Sequence, residues 1–234
     1  MKVGSLFSGI GGLELGLERA GMQVVWQVES DPFCIKVLEK HWPSVRRFAD
    51  VKDVGKEELE ACDLICGGFP CQPVSNAGAK LAQDDERWLW PEFARIIGEL
   101  RPRYALMENV AGLLVRGMGD VLGDLAALGY DAEWQVLPAA AFGARHRRDR
   151  AFILAYSDSY RLEGRLGSTQ GRRHEPVFRS APSDPRALRW DITASPFLRA
   201  TDGLPNRVDR IKSLGNAVVP QVSEWIGKRI MEAR

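Results

Sequence analysis

The chain is poor in the residues that build metal centres and membrane spans. Its 234 residues hold four cysteines and three histidines. None of the cysteines, Cys34, Cys62, Cys66 and Cys71, forms a CxxC pair accompanied by a neighbouring histidine, so they read as free thiols and no metal is expected. No apolar run approaches the length of a bilayer span or a signal-peptide core. The expectation is a soluble, cytoplasmic protein of a reducing compartment, with no membrane partner. Net charge is also nearly absent, at +1. Any affinity for a polyanion must therefore come from a local basic surface, since no overall field steers one in.

What is present is a regular alternation. With 45% hydrophobic and 27% charged side chains, the chain can bury one good core and is short for two full domains. Val3 to Phe7 reads as a strand, Ser8 to Gly12 as a glycine turn, and Leu13 to Ala20 as a helix stopped by Gly21. Further strands are expected at Gln23–Val28, Cys62–Cys66, Tyr104–Met107, Ala132–Leu137 and Ala151–Ala155. Helices are expected at Pro32–His41, Trp88–Leu100, Asp120–Leu128 and Gln221–Met231. This pattern predicts an α/β fold with a doubly wound, mostly parallel sheet, whose ligands sit at the carboxyl ends of the strands. Ser8, Glu29, Asp50, Cys71 and Glu108 all follow apolar runs and collect at that edge. From Ser157 to about Arg210 the alternation stops, and Gly, Ser, Pro and scattered arginines form a basic, loop-rich insert. A solvated excursion and a folded recognition module fit that composition equally well.

Three segments carry chemistry. In Gly67-Gly68-Phe69-Pro70-Cys71-Gln72-Pro73, two prolines fix the backbone around Cys71 and two glycines allow close approach to a ligand. Such a mount presents a thiol, although most free cysteines are small buried hydrophobes. A thiol needs activation to its thiolate. Arg148 and Arg150, just before a buried strand, are the cationic candidates, their alternative being a solvated basic face. The loop Phe7-Ser8-Gly9-Ile10-Gly11-Gly12 lets a ligand meet helix amides, and Glu29, about twenty residues on, sits where a carboxylate accepts from ribose hydroxyls. Together they suggest a nucleoside-containing cofactor. Asp50 could accept from an adenine amine or serve as a helix cap. Glu108 emerges from an apolar strand, where desolvation favours a protonated acid able to donate; a strand-end cap is the alternative.

Five blocks occur in the order and approximate spacing of the cytosine-5 DNA methyltransferases, and the chain resembles that family over residues 1 to about 156 and 202 to 232. The blocks are Phe7–Gly12, Gly68-Phe69-Pro70-Cys71-Gln72, Glu108-Asn109-Val110, Arg148-Asp149-Arg150 and Gly215-Asn216-Ala217-Val218-Val219-Pro220. The resemblance implies a methyltransferase-type sheet with S-adenosylmethionine as cofactor. It divides the chain into a catalytic and cofactor-binding domain at 1–156, a short recognition insert at 157–201 and a C-terminal motif and helix at 202–234.

By motif position, Cys71 is implied as the nucleophile that adds to carbon 6 of a flipped-out cytosine. Glu108 would protonate ring nitrogen 3, and Arg150 would hold the 2-keto oxygen with Arg148 in support. Phe7, Ser8, Gly9, Ile10, Gly11, Gly12, Glu29, Asp50, Val51, Leu89, Asn216 and Ala217 are implied as the cofactor pocket. Gln72, Ser75 and Arg147 are implied as DNA contacts. The implied partners are duplex DNA and a cognate restriction endonuclease, with the protein acting as a monomer. The insert, about fifty residues, is short for a target-recognition region, and fewer base-edge contacts mean less discrimination. A transfer-RNA methyltransferase of the same fold and a poorly active DNA-binding relative are the alternatives.

Overall fold

A computed structural model describes residues 1–70, 88–157, 176–178 and 207–233. Seven strands form one sheet in the order β3-β2-β1-β4-β5-β7-β6. They are β1 Lys2–Leu6, β2 Gln23–Val28, β3 Arg46–Phe48, β4 Leu64–Gly67, β5 Tyr104–Val110, β6 Tyr130–Pro138 and β7 Asp149–Ser157. Strands β1 to β5 pair in parallel. Their connections carry helices α1 Gly12–Arg19, α2 Pro32–His41 and α3 Trp90–Leu100. Asp31 caps α2, its carboxylate accepting from the amides of Phe33 and Cys34, with Pro32 in the first turn, as the sequence pattern requires.

The sheet is mostly parallel, as expected, and departs from that pattern at one place. Strand β7 runs antiparallel to both β5 and β6. The connection from β6 to β7 spans only residues 139–148, too short for the crossover of about a dozen residues that a parallel return needs. Helices α4 Leu113–Arg116 and α5 Met118–Ala127 lie between β5 and β6. After the insert come α6 Arg207–Asn216 and α7 Pro220–Glu232. Neither β3 nor α6 was expected from the sequence.

The central strands β1, β4, β5 and β7 are buried on both faces, so they read as continuous apolar runs. On one face Ile65, Met107 and Ile153 meet Phe93, Ile96, Val121 and Leu125 of α3 and α5. On the other, Leu64, Leu106 and Leu154 meet Leu13 and Leu17 of α1 and Val222, Ile226 and Ile230 of α7. Val177 and Phe178 of the insert are buried against this second face, their amides donating to the Glu133 carboxylate of β6. The insert is thus anchored on the core at this point.

Glycine lets α1 and α7 approach closely. A Cβ at Gly16 would lie 2.2 Å from the Pro220 carbonyl oxygen and 2.0 Å from Ser223 Oγ. Gly16→Ala is expected to destabilise the chain by about 1–3 kcal/mol, because a clash with backbone outweighs the gain in helix propensity. Urea unfolding reads the loss as a lower midpoint at unchanged slope.

Candidate active site

The carboxyl ends of β1, β2, β4 and β5 open into one cavity of about 710 Å³, within the range of small-molecule sites. At one end lies the loop between β1 and α1. Phe7, Gly9 and Gly11 there have φ of 54°, 57° and 85°, left-handed values that cost a non-glycine residue such as Phe7 about 1 kcal/mol or more. Among the described residues a Cβ at Gly9 would meet nothing within 4 Å, at an amide-rich turn at the start of α1, where anions and polar ligands are favoured.

Glu29 closes this end. Its carboxylate accepts from the Gly9 amide at 2.6 Å and the Asp31 amide at 2.8 Å. A carboxylate offers about four lone-pair directions, so acceptor capacity is left for a ligand. Asp50 takes the capping role, accepting from the Lys52 amide at 2.9 Å, while also lining the cavity beside Val51. Arg95 of α3 holds that turn, donating to the carbonyls of Val51 and Val54 at 2.8 and 3.0 Å. It is itself fixed by Glu92 and Glu99.

At the other end stands Glu108, near the carboxyl end of β5. Burial pushes its carboxyl up to about 7, against the opposing pull of Arg150 and Arg148. Arg150 Nε lies 2.9 Å from Glu108 Oε1. The reversed direction of β7 makes this pair possible: it brings the amino-terminal residue of β7 beside the carboxyl-terminal residues of β5, with Arg150 in register with Val110. In a parallel strand Arg150 would start at the opposite edge. A Cβ at Gly68 would sit 2.8 Å from Glu108 Oε2, so a larger residue there would displace the acid.

The segment leading to Cys71 is fixed just before it. Phe69 is buried among Trp88, Trp90 and Phe93 with ring separations of 5.6, 5.3 and 6.2 Å. Its carbonyl accepts from Asn109 Nδ2 at 3.0 Å. Pro70 then lines the cavity. Cys71, Gln72 and Ser75 lie outside the described residues.

Of the residues expected from the sequence, the cavity joins Phe7, Ser8, Gly9, Gly12, Glu29, Asp50, Val51 and Leu89 with Asn216 and Ala217, and with Glu108 and Arg150. Ile10 and Gly11 belong to the loop without lining the cavity. Arg147 is exposed and pairs with Asp149. Arg148 points elsewhere: its guanidinium donates to the carbonyls of Gly215 and Ala217, at 2.8 Å for the latter, and φ at this residue is 37°. It ties the β6–β7 connection to the C-terminal motif. Sequence reasoning missed Asn109 and Arg95 as organisers of the site; Asn109 directly follows Glu108, and only its contact to the Phe69 carbonyl distinguishes it from a strand-end cap.

The sheet order, the glycine loop with an acid at the end of the second strand, and the antiparallel seventh strand define an α/β fold of the S-adenosylmethionine-dependent methyltransferase type. Residues 1–193 match the family described as C-5 cytosine-specific DNA methylase, and the chain belongs to that family. It is 37% identical over 158 residues to the type II methyltransferase M.NgoMIV of Neisseria gonorrhoeae, covering 65% of this chain and 51% of that protein. It is 38% identical over 164 residues to M2.BsuMI of Bacillus subtilis, covering 66% and 42%. The chain therefore spans about half the length of the curated relatives it matches. In fold it is similar to the methyltransferase EhMeth of Entamoeba histolytica, with a TM-score of 0.70 at 16% identity over 99% of this chain and 98% of that one. Among the described residues no helix is long and apolar enough to cross a membrane.

Proposed function

We propose that this chain is a DNA cytosine-5 methyltransferase acting through Cys71 on a cytosine flipped out of the duplex. The observation that carries the reading is the single cavity with two differently built ends. One end is a left-handed glycine loop with Glu29; the other is a buried acid, Glu108, against Arg150, with Pro70 beside them leading directly into Cys71.

The residues present fit S-adenosylmethionine. The glycine loop and α1 amides suit its polar methionine end, Glu29 its ribose, and Asp50, Val51 and Leu89 its adenine. Bound there, it supplies an electrophilic methyl group. The chain supplies the rest. Carbon 5 of cytosine is a poor nucleophile, so the Cys71 thiolate forms a bond to carbon 6, and Glu108 gives its proton to ring nitrogen 3. Arg150 donates to the 2-keto oxygen and spreads the developing charge. Carbon 5, now enamine-like, would bond to that methyl group as the methyl's bond to the sulfonium sulfur breaks and leaves a neutral thioether. A base then removes the carbon 5 proton, the ring double bond re-forms, Cys71 leaves as thiolate and the nitrogen 3 proton returns to Glu108. Arg148 serves this site by fixing the C-terminal motif that carries Asn216 and Ala217.

The reacting carbons are inaccessible in stacked DNA, so the base must be flipped out. Arg147, exposed at the same sheet edge, is proposed as a contact to the DNA backbone, and Gln72 and Ser75 keep DNA-facing roles by motif position. The type II names of the relatives suggest a cognate restriction endonuclease as partner and a cytoplasmic setting.

The test is to incubate the full chain with labelled S-adenosylmethionine and, in parallel, mixed-sequence duplex DNA or transfer RNA, then digest and look for 5-methylcytosine. Label in DNA is expected. Label in transfer RNA alone would move the function to RNA, and label in neither, with cofactor binding demonstrated, would reject the reading.

A further inference from the structure

Beneath the glycine loop lies a buried polar layer that the chemistry above does not use. Ser5 of β1 is in register with Gln27 of β2 and with Cys66 of β4. These three side chains therefore stand in a row on the sheet face that α1 covers. Glu14, in the first turn of α1, is 0% exposed and sits over that row. Ser5 Oγ donates to Glu14 Oε1 at 2.7 Å, and Ser8 Oγ donates to Ser5 Oγ at 2.9 Å. Among the described residues Glu14 Oε2 and both amide atoms of Gln27 have no hydrogen-bond partner.

A carboxyl in this position is costly. Its helix neighbours Leu13 and Leu17 belong to the apolar core, and an apolar side chain of similar size in place of a buried charged group is often neutral or stabilising. The compensation lies at Ser8. Ser8 sits between Phe7 and Gly9, two left-handed residues, and lines the cavity. The chain Ser8–Ser5–Glu14 joins the strand that enters this loop to the helix that leaves it, with the middle of the loop as the third member.

We propose that Glu14 is a positioning residue for the cofactor loop: through Ser5 it holds Ser8, and with it the backbone of residues 7–11, in the conformation that lines the cavity. The proposal rests on the reading of that cavity as the S-adenosylmethionine site. Burial raises the Glu14 carboxyl to about 7, with the Ser5 and Ser8 hydroxyls pulling the other way and Glu29 adding to the rise. Near neutrality and below, Glu14 therefore acts as a hydrogen-bonding acid and has no need of its charge. A glutamine can accept from Ser5 in the same way; a leucine cannot.

The experiment compares wild type, Glu14→Gln and Glu14→Leu in the full chain, by calorimetric titration with S-adenosylmethionine and by hydrogen exchange at residues 7–11 without ligand. Glu14→Leu is expected to weaken cofactor binding about tenfold, the worth of one good hydrogen bond, and to speed exchange in the loop, with Glu14→Gln restoring both to near wild type. If Glu14→Leu does not fold, Ser5→Ala removes the same link from the strand side and is expected to behave like it. Wild-type affinity and exchange in the leucine variant, or a glutamine variant as impaired as the leucine one, would overturn the proposal. Exchange separates the two readings: a wild type that binds no cofactor, yet whose loop loosens in Glu14→Leu and not in Glu14→Gln, keeps the tether and rejects the cofactor site.

Discussion

Glu108→Gln is expected to slow methyl transfer by about 10²–10⁴-fold, the usual worth of a positioned proton donor. The amide is isosteric and keeps its place beside Arg150, so cofactor binding should hold while the proton for ring nitrogen 3 is lost. The pH profile gives the sharper test. On the proposed mechanism, transfer needs Glu108 protonated and Cys71 ionised, and burial raises the Glu108 carboxyl to about 7. For a thiol that titrates above Glu108, the product of the two fractions rises with pH up to about 7. There the growth in thiolate is cancelled by the loss of the acid, and kcat/KM becomes flat. Without the acid the cancellation disappears, so the glutamine variant should keep rising through 7 until the thiol itself has titrated. Superimposable profiles would exclude Glu108 as the donor. Stability carries the same signature. The folded chain holds the Glu108 proton up to about 7, while the unfolded chain releases it near the ordinary carboxylate value of about 4.3. The native state thus binds more protons between these values, and stability falls as pH rises through that window. Urea midpoints at the two ends of the window should differ less in Glu108→Gln.

The site was legible where a local rule dictates a residue. Glycines at the β1–α1 turn, an acid ending β2, and Glu108 closing the apolar run of β5 each mark a strand end, and strand ends of a parallel sheet share one edge. The direction of β7 was not legible, because alternation of apolar residues says nothing about which way a strand runs; only the short 139–148 connection carries that information. Strand β3 was hidden by its own composition, Arg46-Arg47-Phe48, three residues without an apolar run. Acids in a helix's first turn are ordinarily solvated, so nothing in the sequence marks Glu14 for burial. Its burial follows from Ser5 lying beneath it, a contact between two elements that neither segment reveals alone. Asp50 caps a turn, one of its two sequence readings, and also lines the cavity.

Cys71→Ser should abolish methyl transfer, by about 10⁴-fold or more, while leaving affinity for S-adenosylmethionine nearly unchanged, since a hydroxyl is far too weak an acid to supply the nucleophile. The structure gives this prediction an internal control, because the described cysteines are poor substitutes. Burial pushes the Cys66 thiol well up and the Cys62 thiol up to about 12, so neither forms a useful thiolate near neutrality. Cys34 lines the same cavity but is buried, with Sγ 3.6 Å from Ser213 Oγ, and Cys34→Ala should retain transfer. A duplex carrying 5-fluorocytosine tests the covalent step itself. Fluorine replaces the carbon 5 proton that must leave, so after methyl transfer the ring double bond cannot re-form and the sulfur stays bonded to carbon 6. Mass spectrometry should find protein joined to DNA with one added methyl group in wild type and in Cys34→Ala. The same adduct from Cys71→Ser would remove Cys71 from the mechanism, and with it the reason for an acid and a guanidinium at the other end of the cavity.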